Sequence, residues 1–213
     1  MDLARMRREY EEHGLAESEA DPDPLVQFSG WLRVAVEAGI DEPNAMVLAT
    51  VDAEGQPWSR FVLLKGASEA GFDFYTNYDS NKSQQMTAVP RASLTFGWLA
   101  LSRQVMVAGP VAKVPAAESD AYWDLRPRGS QLGSMASHQS RPIASRADLL
   151  RRYDELAAAH PDTVPRPANW GGWRLVPHTI ELWQGRTNRL HDRLRYTRPG
   201  GPGTPWSRVR LNP

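Results

Sequence analysis

Side chains able to grip an anion are concentrated in the segment Trp183-Gln184-Gly185-Arg186-Thr187-Asn188-Arg189-Leu190-His191-Asp192-Arg193. Read as a strand, it alternates. Arg189, His191, Arg193 and Arg195 fall on one face, and Leu190, Asp192, Leu194 and Tyr196 on the other. Three guanidiniums and an imidazole on one side of a sheet repel one another unless something anionic lies among them. A phosphorylated aromatic ligand would suit, with guanidinium for phosphate or ring stacking and imidazole for a ring hydroxyl.

Three further constellations carry the same chemistry. Arg60 and Lys65 bracket the apolar run Phe61-Val62-Leu63-Leu64. Their odd spacing puts them on opposite faces of a regular strand, and an edge strand with solvated charges is the simpler reading. Asp79-Ser80-Asn81-Lys82 reads as a helix start, where Lys82 opposes the dipole unless an anion binds between it and the free amides. An ordinary cap explains this segment equally well. In Tyr122-Trp-Asp-Leu-Arg126-Pro-Arg-Gly-Ser130-Gln131, Tyr122 and Arg126 lie one turn apart, Pro127 stops the helix, and Ser130 is expected to cap the next one. Hydroxyls, guanidinium and helix-start amides can converge there on one phosphate, which outweighs a plain helix–turn–helix joint.

Composition narrows the field. The chain has 213 residues with 25 basic and 25 acidic side chains and zero formal net charge. General nucleic-acid binding needs a basic surplus, so local cationic clusters point to small anionic ligands. There is no cysteine, which excludes disulfides, thiolate metal sites and cysteine nucleophiles. His13, His160 and His178 lack metal-ligand spacing, so no metal site is expected. His138 reads as a surface or helix-end residue. No secretory signal or membrane-length apolar run is visible, and a cytoplasmic protein is expected.

These residues need a scaffold. Leu3, Met6 and Tyr10 are spaced for a short amphipathic helix. With the acidic linker that follows, it makes residues 1–22 an N-terminal helix and flexible linker, and residues 23–213 a single domain. Asp23 and Pro24 open a helix whose buried stripe is Leu25, Phe28, Trp31, Leu32, Ala35 and Val36, stopped by Gly39. Strands are expected at Met46–Asp52, Trp58–Lys65, Phe72–Asn77, Ala92–Trp98, Arg103–Val114, Gly172–Val176, Thr179–Trp183, Arg189–Tyr196 and Trp206–Leu211. Helices are expected at Ser80–Val89, Ala116–Leu125, Ser130–Ala136 and Ser145–His160, the last opened by a capping-box pattern. Sequential strands with short turns predict a mainly β, α+β architecture: an antiparallel sheet closed into a barrel, with peripheral helices.

Taken together, the motifs resemble the pyridoxamine 5′-phosphate oxidase family. They are Arg7-Arg8-Glu9-Tyr10, Arg60–Lys65, Phe74-Tyr75-Thr76-Asn77, Arg103-Gln104-Val105, Arg126–Gln131, His138-Gln139-Ser140, Trp170-Gly171-Gly172 and Trp183–Arg193, in order along nearly the whole chain. The resemblance implies a split β-barrel homodimer with flavin mononucleotide (FMN) at the subunit interface. It implies oxidation of pyridoxamine or pyridoxine 5′-phosphate to pyridoxal 5′-phosphate, with O2 reduced to H2O2. Flavin contacts would come from Arg60, Phe61, Val62, Leu63, Leu64, Lys65, Tyr75, Thr76, Lys82, Gln104, Gln139, Ser140, Trp183 and Arg193. The substrate phosphate would lie against Lys65, Tyr122, Arg126 and Ser130. Arg189, Leu190 and His191 would bind the substrate ring, with Arg189 and His191 the catalytic pair. Arg7 and Tyr10 would belong to a segment that folds over the substrate. Asn81 departs from the pattern, standing where many members carry arginine before the lysine, which removes one cation from the flavin phosphate site. The alternatives are a related split-barrel flavin oxidase acting on another aromatic substrate, such as a phenazine precursor, a non-catalytic flavin or pyridoxal phosphate carrier, and a barrel with scattered surface arginines.

Overall fold

The computed structural model describes residues 14–213. The expected first helix, with Arg7 and Tyr10, lies outside the described residues. Helix α1 (Pro24–Glu37) begins where the sequence predicts: the Asp23 carboxylate accepts a hydrogen bond from the Leu25 amide, and Pro24 occupies the first turn. Its inward face is Leu25, Phe28, Trp31 and Ala35, while Val36, expected in the stripe, is 58% exposed. Gly39 follows at φ +68°, a backbone that favours glycine.

Ten strands among the described residues form one curled antiparallel sheet. They are β1 (Ala45–Val51), β2 (Pro57–Leu63), β3 (Gly66–Ser68), β4 (Gly71–Asn77), β5 (Arg91–Trp98), β6 (Arg103–Lys113), β7 (Trp170–Leu175), β8 (Thr179–Gln184), β9 (Asp192–Thr197) and β10 (Ser207–Arg210). The main path runs β10-β9-β8-β6-β5-β1-β2, with β2 at an edge. The long strand β6 makes the curl: Arg103–Ala108 pairs with β8, then Val111–Lys113 pairs with β7, which continues to β4 and β3. Gly109 lies at the changeover, where a side chain would run into the Val176 carbonyl. Alternation puts Leu48, Leu94, Val107, Ile180 and Tyr196 inside. Phe28 of α1 closes that core against Phe72 and Phe96 at 5.1 and 4.9 Å between ring centres.

Among the described residues, four further α-helices flank the sheet: α2 (Asn81–Ala88), α3 (Ala116–Asp124), α4 (Arg128–Ala136) and α5 (Arg146–Ala159). Trp123, Leu132, Val164 and Trp170 bind α3 and α4 to β7 through a second, smaller core. Ion pairs reinforce the joint. Arg174 on β7 chelates Asp73 of β4 through two 2.7 Å bonds and reaches Glu118 of α3 at 2.7 Å. Arg166 holds Asp120 of α3 at 2.6 Å. Ser130, expected to cap α4, is instead inside its first turn; α4 starts after Pro127 with no side-chain cap. Ser145 does cap α5, accepting from the Asp148 amide.

The acidic segment before α1 is fastened down. Leu15 and Ala20 are buried in the main core, the Leu15 amide donates to Asp192, and Arg210 bridges Glu17 and Asp192. Among the described residues, no helix is long and apolar enough to cross a membrane.

Candidate active site

Two adjoining cavities of about 400 and 430 Å³ lie between β4, α4 and the end of β2. Both are walled by Tyr75, Thr76, Arg126, Ser130 and Gln139. The first adds Asn77, Ser134, Ser137 and Trp170, and the second adds Phe61, Val62, Leu63, Lys65, Lys82 and Tyr122. The structure thus gathers most residues expected at the two phosphates. Leu64 does not join them: it is buried in the core, with its backbone bonded to Asn44. Strand β2 ends at Leu63, so Lys65 lies past it and strand parity no longer governs its direction.

Lys82 is the buried cation of this region. Its ammonium donates to Thr76 Oγ1 at 3.1 Å and Ser80 Oγ at 3.4 Å, and Thr76 Oγ1 donates on to Gln139 Oε1 at 3.0 Å. Arg60 lies near it but spends its donors on Thr50 Oγ1, the Leu48 carbonyl and Gln85 Oε1. Burial, and then the charge of Arg60, pull the Lys82 pKa down to about 8. Burial also lowers the pKa of Arg60. Asn81 is exposed at the start of α2 and adds no charge. Among the described residues, no carboxylate pairs with Arg60, Lys82 or Arg126.

Arg126 stands between the cavities. Its guanidinium lies 4.6 Å from the Trp170 ring centre and donates to the Ser130 carbonyl at 3.0 Å and Ser134 Oγ at 2.9 Å. Its Nε is buried with no partner among the described residues. Beside it, Tyr75 and Tyr122 stack at 4.0 Å. Gly172, opposite Tyr75 in the register, makes this possible, since a Cβ there would be 2.8 Å from the tyrosine ring.

The residues of the C-terminal segment lie elsewhere, and the strand expected at Arg189–Tyr196 is shorter than its pattern suggests. Thr187–Arg189 is a 3₁₀ turn with Asn188 at φ 53° and Arg189 at φ 62°, and β9 starts only at Asp192. Arg189, His191, Arg193 and Arg195 therefore do not share one strand face. Arg193 and Arg195 do, and the anion between them is Glu181. This buried carboxylate takes two bonds from Arg193 at 2.9 and 2.7 Å and two from Arg195 at 3.1 and 3.0 Å. Gln104, Trp183 and Arg193 are cross-strand neighbours in one row. The His191 ring packs 4.7 Å from Trp183, and its Nδ1 accepts the Arg186 amide at 3.1 Å. Burial, with help from Arg189, lowers its pKa, so the neutral ring carries its hydrogen on Nε2. Gln104, Trp183, Arg189, His191 and Arg193 line neither cavity within one chain.

Sequence reasoning missed Glu181, Ser134 and the partners of Arg60. Glu181 was legible in principle, because β8 alternation places it beside the arginines of β9. Ser134 was not, because its role depends on the phase of α4.

A curled antiparallel sheet flanked by anion-ready cavities defines a split-barrel protein of the flavin-binding class. Comparisons with known proteins then give the particular family. The family model described as pyridoxamine 5′-phosphate oxidase matches residues 32–159, and that for the pyridoxine 5′-phosphate oxidase C-terminal dimerisation region matches residues 170–213. The chain is 56% identical over 213 residues to a pyridoxine/pyridoxamine 5′-phosphate oxidase of Rubrobacter xylanophilus, covering 100% of this chain and 97% of the relative. It is 51% identical over 214 residues to the Synechocystis protein of that name, covering 99% and 98%. The solved structure of PhzG from Burkholderia lata, in complex with tetrahydrophenazine-1-carboxylic acid, superposes with a TM-score of 0.87 at 32% identity, covering 93% of this chain and 98% of that one. A Nostoc punctiforme protein at 19% identity and TM-score 0.71, covering 94% and 100%, shares the fold. The chain belongs to the pyridoxamine 5′-phosphate oxidase family.

Proposed function

We propose that the protein is a homodimeric, FMN-dependent oxidase that converts pyridoxamine 5′-phosphate and pyridoxine 5′-phosphate to pyridoxal 5′-phosphate and reduces O2 to H2O2. The observation that carries this reading is two cationic groups around one cavity system with no carboxylate partner among the described residues, Lys82 on one side and Arg126 with Lys65 on the other. Two phosphate esters, one on each ligand, account for two such groups.

The residues fit FMN. Lys82, Thr76 and Gln139 form a hydrogen-bonded row ending in a buried ammonium with no carboxylate partner among the described residues, which suits a phosphate. Gln104, Trp183 and Arg193 supply a second row for the flavin ring. Bound flavin would accept a hydride equivalent from the substrate carbon and pass its electrons to O2. The chain supplies binding and orientation. Tyr122, Arg126, Ser130 and Lys65 hold the substrate phosphate. His191, with its hydrogen on Nε2, donates to the ring oxygen of the substrate, and Arg189 covers the ring. Because the two rows line no common cavity in one chain, the dimer brings them together, with residues 170–213 forming the contact region. We place this activity in the cytoplasm.

A PhzG-like oxidase acting on a phenazine precursor is the second reading, favoured by the overlap with that structure. Such a substrate carries no phosphate ester and leaves the Arg126 cluster without a role. The test is an absorbance spectrum of the purified protein followed by anaerobic addition of pyridoxamine 5′-phosphate. A yellow protein that bleaches, then recovers its colour with air and yields H2O2, is expected. A colourless protein, or a yellow one that pyridoxamine 5′-phosphate does not bleach, overturns the proposal.

A further inference from the structure

The Arg126 guanidinium is held on two sides by groups that do not themselves bear the charge of a ligand. One side is the face of Trp170, a residue only 3% exposed, at 4.6 Å. The other is α4, where Nη2 donates to both the Ser130 carbonyl and Ser134 Oγ. One nitrogen is thus committed to the protein, while Nη1 has no partner among the described residues and remains for an anion. The ring beneath is fixed in turn. Trp170 lies nearly parallel to Tyr122, 8° between planes, and to Tyr75, 17° between planes. Trp123 meets it edge-on at 4.8 Å.

An arginine side chain with this many rotatable bonds loses entropy when it grips a phosphate, and a prebuilt cradle removes that cost before the ligand arrives. The plane of the guanidinium also matters, because with Nε buried and Nη2 committed it sets where Nη1 can meet a phosphate. We infer that Trp170 and Ser134 are positioning residues for substrate selection: through a cation–π face and a hydroxyl anchor they set the plane of Arg126, and so the enzyme's preference for a phosphorylated substrate. This rests on the reading of Arg126 as a substrate-phosphate ligand. Neither residue hydrogen-bonds to the Lys82–Thr76–Gln139 row, so the effect is expected in substrate binding.

The experiment compares the FMN-loaded dimer with its Trp170→Phe, Trp170→Leu and Ser134→Ala variants, using pyridoxamine 5′-phosphate as substrate. Loss of the indole face or of the hydroxyl anchor is expected to raise KM by about 5- to 20-fold, with kcat and FMN affinity within about twofold. Phe at position 170 keeps a smaller π face, and its KM should fall between those of wild type and Leu. Ser134→Ala guards against misfolding, since the change is small and suits a helix. Unchanged KM in Ser134→Ala and Trp170→Phe overturns the inference while leaving the proposed activity intact. So does a fall in kcat and flavin content at constant KM, which marks a purely structural role. A wild-type protein that does not oxidise pyridoxamine 5′-phosphate overturns the underlying reading instead.

Discussion

Single residues here carry conflicting demands, and Lys82 shows it most plainly. Without flavin, its ammonium titrates near pH 8 because burial and Arg60 both oppose the charge. A phosphate in reach of Nζ favours the charged form, so binding above pH 8 must take up a proton. FMN affinity should hold below pH 8 and fall by about tenfold per pH unit above it, until the raised bound-state pKa is reached. Fluorescence titration of FMN on both sides of pH 8 measures the slope, and Lys82→Met should flatten it. For the flavin-free protein the sign is opposite. Between about 8 and the ordinary 10.5 the unfolded chain holds more protons, so the cost of burying this lysine declines as pH rises. Arg189 pays differently, through a left-handed backbone at φ 62° that few non-glycine residues adopt. Replacing it with leucine should lower turnover by about 100-fold or more while flavin content stays near wild type. Steady-state rates and the flavin-to-protein absorbance ratio test both halves of that statement.

At the scale of elements, stability concentrates where α3 is joined to the sheet. Arg174 serves Asp73 and Glu118 together, and its pKa is raised by the Asp73 bonds first. Arg174→Leu should cost about 2 kcal/mol, because it strands a mostly buried Asp73 carboxylate even though Glu118 stays partly in water. Urea denaturation checks the figure. The extent to which the sequence disclosed these elements varied for physical reasons. Asp23, Pro24 and Gly39 bound α1 correctly because caps act locally. Alternation located β8 and the later part of β9, where Arg193 and Arg195 do share a face. The Thr187–Arg189 turn escaped notice because alternation cannot register a left-handed residue, and nothing in Asn188-Arg189 forbids an extended chain. Ser130 was misplaced for a similar reason: Pro127 is compatible with the position just before a helix, so α4 starts earlier than a serine cap implies.

The whole molecule is neutral, yet its charge is partitioned. Carboxylates neutralise Arg174, Arg193, Arg195 and Arg210, neutral oxygens hold Arg60, and Lys82 and Arg126 are left for ligands. Composition could not show this sorting, because it depends on which acidic residue the fold brings to which base. Nor could one chain show how the Arg126 and Arg189 rows meet. If they meet across a two-fold axis, each site takes Arg126 from one subunit and Arg189 from the other. Arg126→Leu and Arg189→Leu should each be nearly inactive alone. Unfolded together and refolded, they should recover about one quarter of wild-type activity, because half of the dimers are mixed and each mixed dimer holds one intact site. No recovery, with mixed dimers shown by native mass spectrometry, would place both arginines of a site in the same subunit.

The parallel rings of Tyr75, Tyr122 and Trp170, with centres between 4.0 and 6.1 Å apart, have an optical consequence. Transition dipoles that close do not absorb independently. They split into a couplet in ultraviolet circular dichroism whose sign follows the handedness of the pile. The Tyr122 part of that couplet reports the docking of α3 with no ligand present, and Tyr122→Leu should leave only the weaker Tyr75–Trp170 coupling without changing the amide bands.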